Sequence, residues 1–160
     1  MPTLRSSTDA TRSRIMRAIR SKDTKPEILI RRALHAEGFR FRIHYKKLVG
    51  KPDIVLPKYG AIVLVNGCFW HGHDCHIFRP PRDKGWQQKI ANNKKRDAAN
   101  LATYKKAGWR VLEIWECALQ GKTKKPMAKL TQEITNWLTA GRRSRTIRGK
   151  TAKRPPDARS

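Results

Sequence analysis

An α/β sandwich, with a mixed central sheet between helices, is the fold class the sequence predicts, and three observations predict it. Residues 61–65 read Ala-Ile-Val-Leu-Val, apolar on both faces as a strand covered on both sides must be. Helical periodicities lie before this run, and another lies between it and a second apolar strand pattern at 109–115. The 160 residues show no internal repeat and suffice for one core, so no second domain is needed.

Each element follows from its residues. Ala10, Arg14, Ile15, Ala18 and Ile19 recur at helical spacing while Arg12, Arg14, Arg17 and Arg20 cover the other faces, which predicts a cationic helix. Asp23 or Thr24 can cap a second helix with Pro26 in its first turn; Ile28, Leu29, Ala33 and Leu34 form its apolar stripe, and Gly38 ends it. Phe39, Phe41 and Ile43 alternate, predicting a strand over 39–44, and shorter strands follow at 53–56 and 61–65, punctuated by Gly50, Pro57 and Gly60. A long polar helix over 85–106 leads into the strand 109–115. Met127, Leu130, Ile134, Trp137 and Leu138 then mark a last helix within 124–138. From Gly141 onward the chain is rich in Arg, Lys, Ser and Pro, which predicts a disordered basic tail. The expected organisation is therefore a basic arm at 1–22, a folded body at 23–140 and a tail at 141–160.

Lys and Arg number 37 against 12 acidic residues, a formal charge of +25, which points to a polyanionic partner. The tail holds only 8 of those 37 cations, so the body itself is strongly basic. No apolar stretch approaches the roughly 18 residues of a membrane span, and the amino end lacks the apolar run of a secretory signal. A soluble, cytoplasmic protein is expected.

The three cysteines, Cys68, Cys75 and Cys117, cannot pair completely as disulfides. With His73 they supply a Cys₃His set, the composition of a closed structural zinc site. Two alternatives stay open on spacing alone: Cys117 as an apolar core thiol, and His71, or less readily His76, as the imidazole on the metal.

Asp53 follows Pro52 at the start of one strand, beside the end of another at Val65 and Asn66. That arrangement lets a carboxylate and a backbone carbonyl hold Mg²⁺ against a phosphate. A Pro-Asp pair alone would more simply cap a turn; the company of Glu27, His71 and Asp97 favours hydrolytic chemistry. His71, inside the metal loop, is suited to proton transfer with Asp97 holding its tautomer. Phe69, Trp70 and Trp86 lie in a basic region where rings can stack on or wedge between bases, although Phe69 and Trp70 fit a core role equally. Trp109, Trp115 and Trp137 are expected in the core.

Four blocks, at 50–53 (Gly-Lys-Pro-Asp), 66–75 (Asn-Gly-Cys-Phe-Trp-His-Gly-His-Asp-Cys), 108–112 (Gly-Trp-Arg-Val-Leu) and 115–119 (Trp-Glu-Cys-Ala-Leu), together resemble the very short patch repair endonucleases. The opening at 11–19 is also similar to that family, and the likeness runs from about residue 9 to about 139. The resemblance implies a restriction-endonuclease-like fold in a bacterial protein acting on the nucleoid as a monomer, with other mismatch-repair proteins as further partners. It implies a nick on the 5′ side of the thymine of a T:G mismatch in double-stranded DNA, left by deaminated 5-methylcytosine.

Carried over by position, Asp53 and the Val65 carbonyl would hold Mg²⁺, His71 would be the general base, and Asp97 its partner, with Glu27 nearby. Cys68, His73, Cys75 and Cys117 would hold Zn²⁺. Phe69, Trp70 and Trp86 would insert beside the mismatch, and Met16 would touch the minor groove. The family usually has a histidine where Asn66 stands, and an amide cannot take a proton at neutral pH. Two other readings stay in view: a nuclease of structure-specific or restriction type with another target and, because of Asn66, a catalytically weak mismatch-binding protein.

Overall fold

The computed structural model of the chain describes residues 24–75, 78–141 and 143–149. In order they form helix α1 (Lys25–Ala36), strands β1 (Arg42–Ile43) and β2 (Ile54–Leu56), strand β3 (Ala61–Asn66), helix α2 (Lys84–Lys106), strand β4 (Arg110–Trp115), helix α3 (Met127–Ala140) and strand β5 (Arg145–Ile147). The strands lie side by side in chain order in one mixed sheet. β1, β2 and β3 are antiparallel neighbours, whereas β3, β4 and β5 run parallel. A parallel neighbour needs a long crossover, and α2 and α3 supply the two required. The predicted α/β class with a mixed sheet flanked by helices is what forms. The cationic helix at 9–19, Met16, the 1–22 arm and His76 lie outside the described residues.

The doubly apolar run behaves as its composition demands. Ala61, Val63 and Val65 face the larger core with α1 and α3, while Ile62 on the opposite face joins Val55, Tyr104 and Val111 under α2, with Leu64 packed against them. Both α1 and α2 end in the same device. After α1, Gly38 at φ +85 donates its N–H to the His35 carbonyl and Phe39 donates to Leu34. After α2, Gly108 at φ +91 donates to Lys105 and Trp109 to Tyr104. Left-handed glycine caps of this kind satisfy the last carbonyls and turn the chain back toward the sheet.

Two expectations need correction. The strand predicted over 39–44 is only Arg42–Ile43, because the left-handed caps of α1 consume its beginning and His44, at φ 51, turns the chain away at its end. The disordered tail predicted from 141 does not describe residues 143–149: Arg145, Thr146 and Ile147 pair with Leu112, Glu113 and Ile114 of β4, and Ile147 is 2 % exposed in the core.

Arg110 organises that return. Its guanidinium donates to the carbonyls of Trp137, Leu138 and Gly141 at the end of α3 and to Tyr59, and stacks over the Trp137 ring at 4.7 Å. A cation there also meets the negative end of the helix dipole. Arg110→Met keeps the aliphatic stem and orphans those acceptors. It is expected to lower stability by about 2–4 kcal/mol, read as a lower urea midpoint with an unchanged m-value.

Candidate active site and metal centre

The carboxyl ends of the parallel strands β3 and β4 lie side by side, with Asn66 opposite Trp115, and the start of the antiparallel β2 lies at the same end. Ligand sites of α/β sheets form at such strand ends. Asp53, just ahead of β2, reaches across so that its Oδ2 accepts the Val65 N–H at 2.8 Å. Burial pushes the Asp53 carboxyl up to about 7; the negative charge of Glu27 adds to this, while the Val65 N–H, the His71 imidazole and the Arg31 guanidinium oppose it. His71 is thus within electrostatic reach of Asp53, as a shared site requires. Glu27, only 3 % exposed on α1, is paired with Arg31 at 3.0 Å one turn later. Two acids crowded under low polarity are a place where a cation is favourable, and Mg²⁺ needs few protein carboxylates because it keeps waters or phosphate oxygens as its other ligands. Asp53 and Glu27 fit that requirement.

The chain after β3 turns tightly through residues 67–73. The N–H of His71 bonds to the Gly67 carbonyl, that of Gly72 to Phe69 and that of His73 to Cys68. Gly72, at φ +60, comes so close to α2 that a Cβ there would stand 2.9 Å from the Ile90 Cγ2 and 3.0 Å from the Lys94 Cε. This close approach brings His71 Nδ1 into contact with Asp97 Oδ2 on α2. With Nδ1–H given to the carboxylate, the other ring nitrogen, Nε2, is left as a proton acceptor. Asn66, 9 % exposed, ends β3 beside this pair.

Cys68, His73, Cys75 and Cys117 converge, with their ligand atoms all within 4.8 Å of one another. The His73 Nδ1 lies 3.5 Å from the Cys68 sulfur and 3.7 Å from that of Cys117. A tetrahedral zinc ion with ordinary Zn–S and Zn–N bonds would separate such atoms by about 3.6 Å, so the set fits zinc. Of the two described imidazoles, His73 joins the cysteines and His71 turns to Asp97. Cys117 belongs to the cluster rather than serving only as a core thiol. A hydrogen bond from Cys68 pulls the Cys117 thiol down to about 5, and the Gly149 amide acts in the same sense. The same contact and burial push the Cys68 thiol up. Burial lowers the pKa of His73, keeping it in the neutral form that binds metals.

Phe69, Trp70, Trp86 and Phe78 form one aromatic cluster, with ring centroids 5.4–6.3 Å apart. All four rings are partly exposed, and Lys89 lies 4.7 Å over the Trp86 ring. Asn93 on α2 donates to the Trp70 carbonyl at 3.0 Å, tying the cluster to the helix that holds Asp97.

Several contributors escape sequence reading. Trp115, expected in the core, instead stacks on His73 at 4.0 Å and 8° and meets His71 edge-on. Glu116 accepts the Cys68 N–H at 3.1 Å. Arg31 and Phe78 carry no motif. Glu113 of β4 is raised by burial, with Lys105, Asp97 and His71 as its charged neighbours, so it belongs to the same end of the sheet.

The model of the family described as DNA mismatch endonuclease Vsr matches residues 6–77. A type II nicking enzyme, V.NmeAIP of Neisseria meningitidis, is 43 % identical over 131 residues, covering 79 % of this chain and 94 % of that protein. The DNA mismatch endonuclease Vsr of Escherichia coli is 40 % identical over 131 residues, covering 81 % and 84 %. A further type II nicking enzyme, V.XorIIP of Xanthomonas oryzae, is 45 % identical over 107 residues, covering 66 % and 79 %. A mixed sheet with an acidic strand-end site beside a Cys₃His loop is thus that of a DNA endonuclease. The chain belongs to the Vsr DNA mismatch endonuclease family. Among the described residues no helix is long and apolar enough to cross a membrane.

A carboxyl held near 7 when folded but at about 3.9 when unfolded keeps its proton in the native state after the unfolded chain has lost it. Its share of stability is complete below pH 4 and is lost as pH rises to 7, at a cost of up to about 4 kcal/mol. Asp53→Asn is therefore expected to raise the melting temperature at pH 8 in metal-free buffer. The gain should shrink as pH falls toward 4, which thermal scans across that range will check.

Proposed function

We propose that this endonuclease nicks double-stranded DNA on the 5′ side of the thymine of a T:G mismatch, with Mg²⁺, as the first step in very short patch repair of deaminated 5-methylcytosine. The observation that supports it most is the pairing of His71 with Asp97 within electrostatic reach of the Asp53 carboxylate.

In this reading Asp53, with the Val65 carbonyl, holds Mg²⁺, and Glu27 adds negative charge beside it. Bound there, Mg²⁺ would neutralise the scissile phosphate and make a water more acidic. His71 takes the proton of the attacking water on Nε2, and Asp97 stabilises the imidazolium that results. Asn66 stands where a phosphate oxygen can receive its amide hydrogens. Phe69, Trp70 and Trp86 enter the stack beside the mismatch, where unstacking costs least, and Met16 reaches the minor groove from the basic arm. The protein works as a monomer in the bacterial cytoplasm and hands its nick to other repair proteins.

A second reading retains the nuclease but changes the target. Several relatives, V.NmeAIP and V.XorIIP among them, carry the name type II nicking enzyme rather than mismatch endonuclease, which favours keeping it.

One assay separates them: a duplex labelled on the thymine strand, offered as T:G, as other mismatches and as a matched pair, with Mg²⁺ or with chelator. The proposal expects Mg²⁺-dependent nicking of T:G alone. It also expects a loss of about 10²–10⁴-fold on His71→Ala, and at least that on Asp53→Ala. Equal nicking of the matched duplex favours the second reading. An intact thymine strand, bound but never cut, would leave a mismatch-binding protein, and gain of cutting in Asn66→His would assign that defect to the amide.

A further inference from the structure

The segment 143–149 is not a disordered tail. Ile147 is buried against β4 and the core, and the chain continues from it onto the back of the cysteine cluster. There the Gly149 N–H donates to the Cys117 sulfur at 3.3 Å. The Arg148 guanidinium donates to the Asp74 carbonyl at 2.8 Å, between the ligands His73 and Cys75. Thr123 donates to the Cys117 carbonyl at 3.0 Å beside it. The fit leaves no slack: a Cβ at Gly149 would stand 2.3 Å from the Cys117 carbonyl oxygen and 2.4 Å from the Thr123 Oγ1. Only a residue without a side chain lets this backbone approach its sulfur.

We propose that residues 147–149 form a clasp of the zinc centre, which holds Cys117 through the Gly149 amide and the 73–75 turn through Arg148 and so sets how tightly the metal is retained. An amide aimed at a thiolate lowers the charge it presents and fixes its direction. Arg148 ties the 73–75 turn to the β4–β5 edge, adding to the Glu116–Cys68 hydrogen bond and the stacking of Trp115 on His73. Groups that orient metal ligands are worth about 10–100-fold in affinity. The loop held in this way also presents His71 and the aromatic cluster, so the clasp acts on the reaction through positioning and not by touching DNA. The inference rests on the cluster holding zinc.

The test uses the full chain loaded with zinc. Metal content is measured first, then the rate of zinc release to a coloured chelator, with the absorption bands of the cobalt-substituted protein as a second readout. Gly149→Ala is expected to release zinc about 10–100-fold faster, with altered cobalt bands. Arg148→Ala is expected to accelerate release several-fold, and Arg145→Ala, exposed on the same strand, to leave it unchanged. Should Gly149→Ala fail to fold, Arg148→Ala, whose side chain is at the surface, decides the matter. Wild-type release rates and cobalt bands in both variants overturn the clasp, while a wild-type protein that holds no zinc overturns the metal centre itself.

Discussion

Convergence of four metal-binding side chains from two separate strand ends is the constraint on which the rest of this site depends. Cys68, His73 and Cys75 follow β3, while Cys117 follows β4. Tying them together forces the chain after β3 to fold back over the sheet rather than run into solvent. That fold brings His71 to Asp97 and stacks His73 on Trp115. Without it, residues 67–75 would rest on the aromatic cluster, the Gly72 contact with α2 and a few hydrogen bonds, and loops so lightly tied open locally at lower free-energy cost.

The second constraint is electrostatic and runs against stability. Asp53 is kept among apolar strands beside Glu27, and only the Val65 amide, Arg31 and His71 relieve it. A fold selected for stability alone would place an amide or an apolar residue there. A strained acid is what a cation-assisted hydrolase needs, because the charge that destabilises the free protein is the charge that attracts the metal and its phosphate. The metal loop and the acidic strand start then divide the work. One supplies a rigid frame for an imidazole and a set of rings, and the other supplies the negative field.

Much of this was legible in the sequence, for local reasons. The doubly apolar stretch of β3, the glycine stops after α1 and α2, and the spacing of Cys68, His73 and Cys75 are each encoded within a few residues. Cys117 was readable because cysteine is scarce here. What was not legible is non-local. β5 is a polar three-residue strand whose only apolar anchor is Ile147, and its order comes from the β4 edge and from the hydrogen bonds that the Val111 N–H gives to Ser144 and the Trp137 ring to the Arg143 carbonyl, not from its own composition. Trp115 looked like core because a strand tryptophan usually is, and only the position of the His73 ring reveals its other partner. The choice between His71 and His73 as ligand turned on Gly72, whose approach to Ile90 and Lys94 is invisible in spacing.

The measurement that bears most directly on this account is single-turnover nicking of a T:G duplex by protein stripped of zinc with a zinc-selective chelator, Mg²⁺ being present throughout. If the Cys₃His centre is what brings His71 and the rings to the Asp53 end of the sheet, nicking should fall by at least about 10²-fold, as expected for a lost or misplaced proton acceptor. It should return when zinc is restored. A stripped protein that cuts at the full rate would contradict the account, because the catalytic arrangement would then stand without the metal said to hold it.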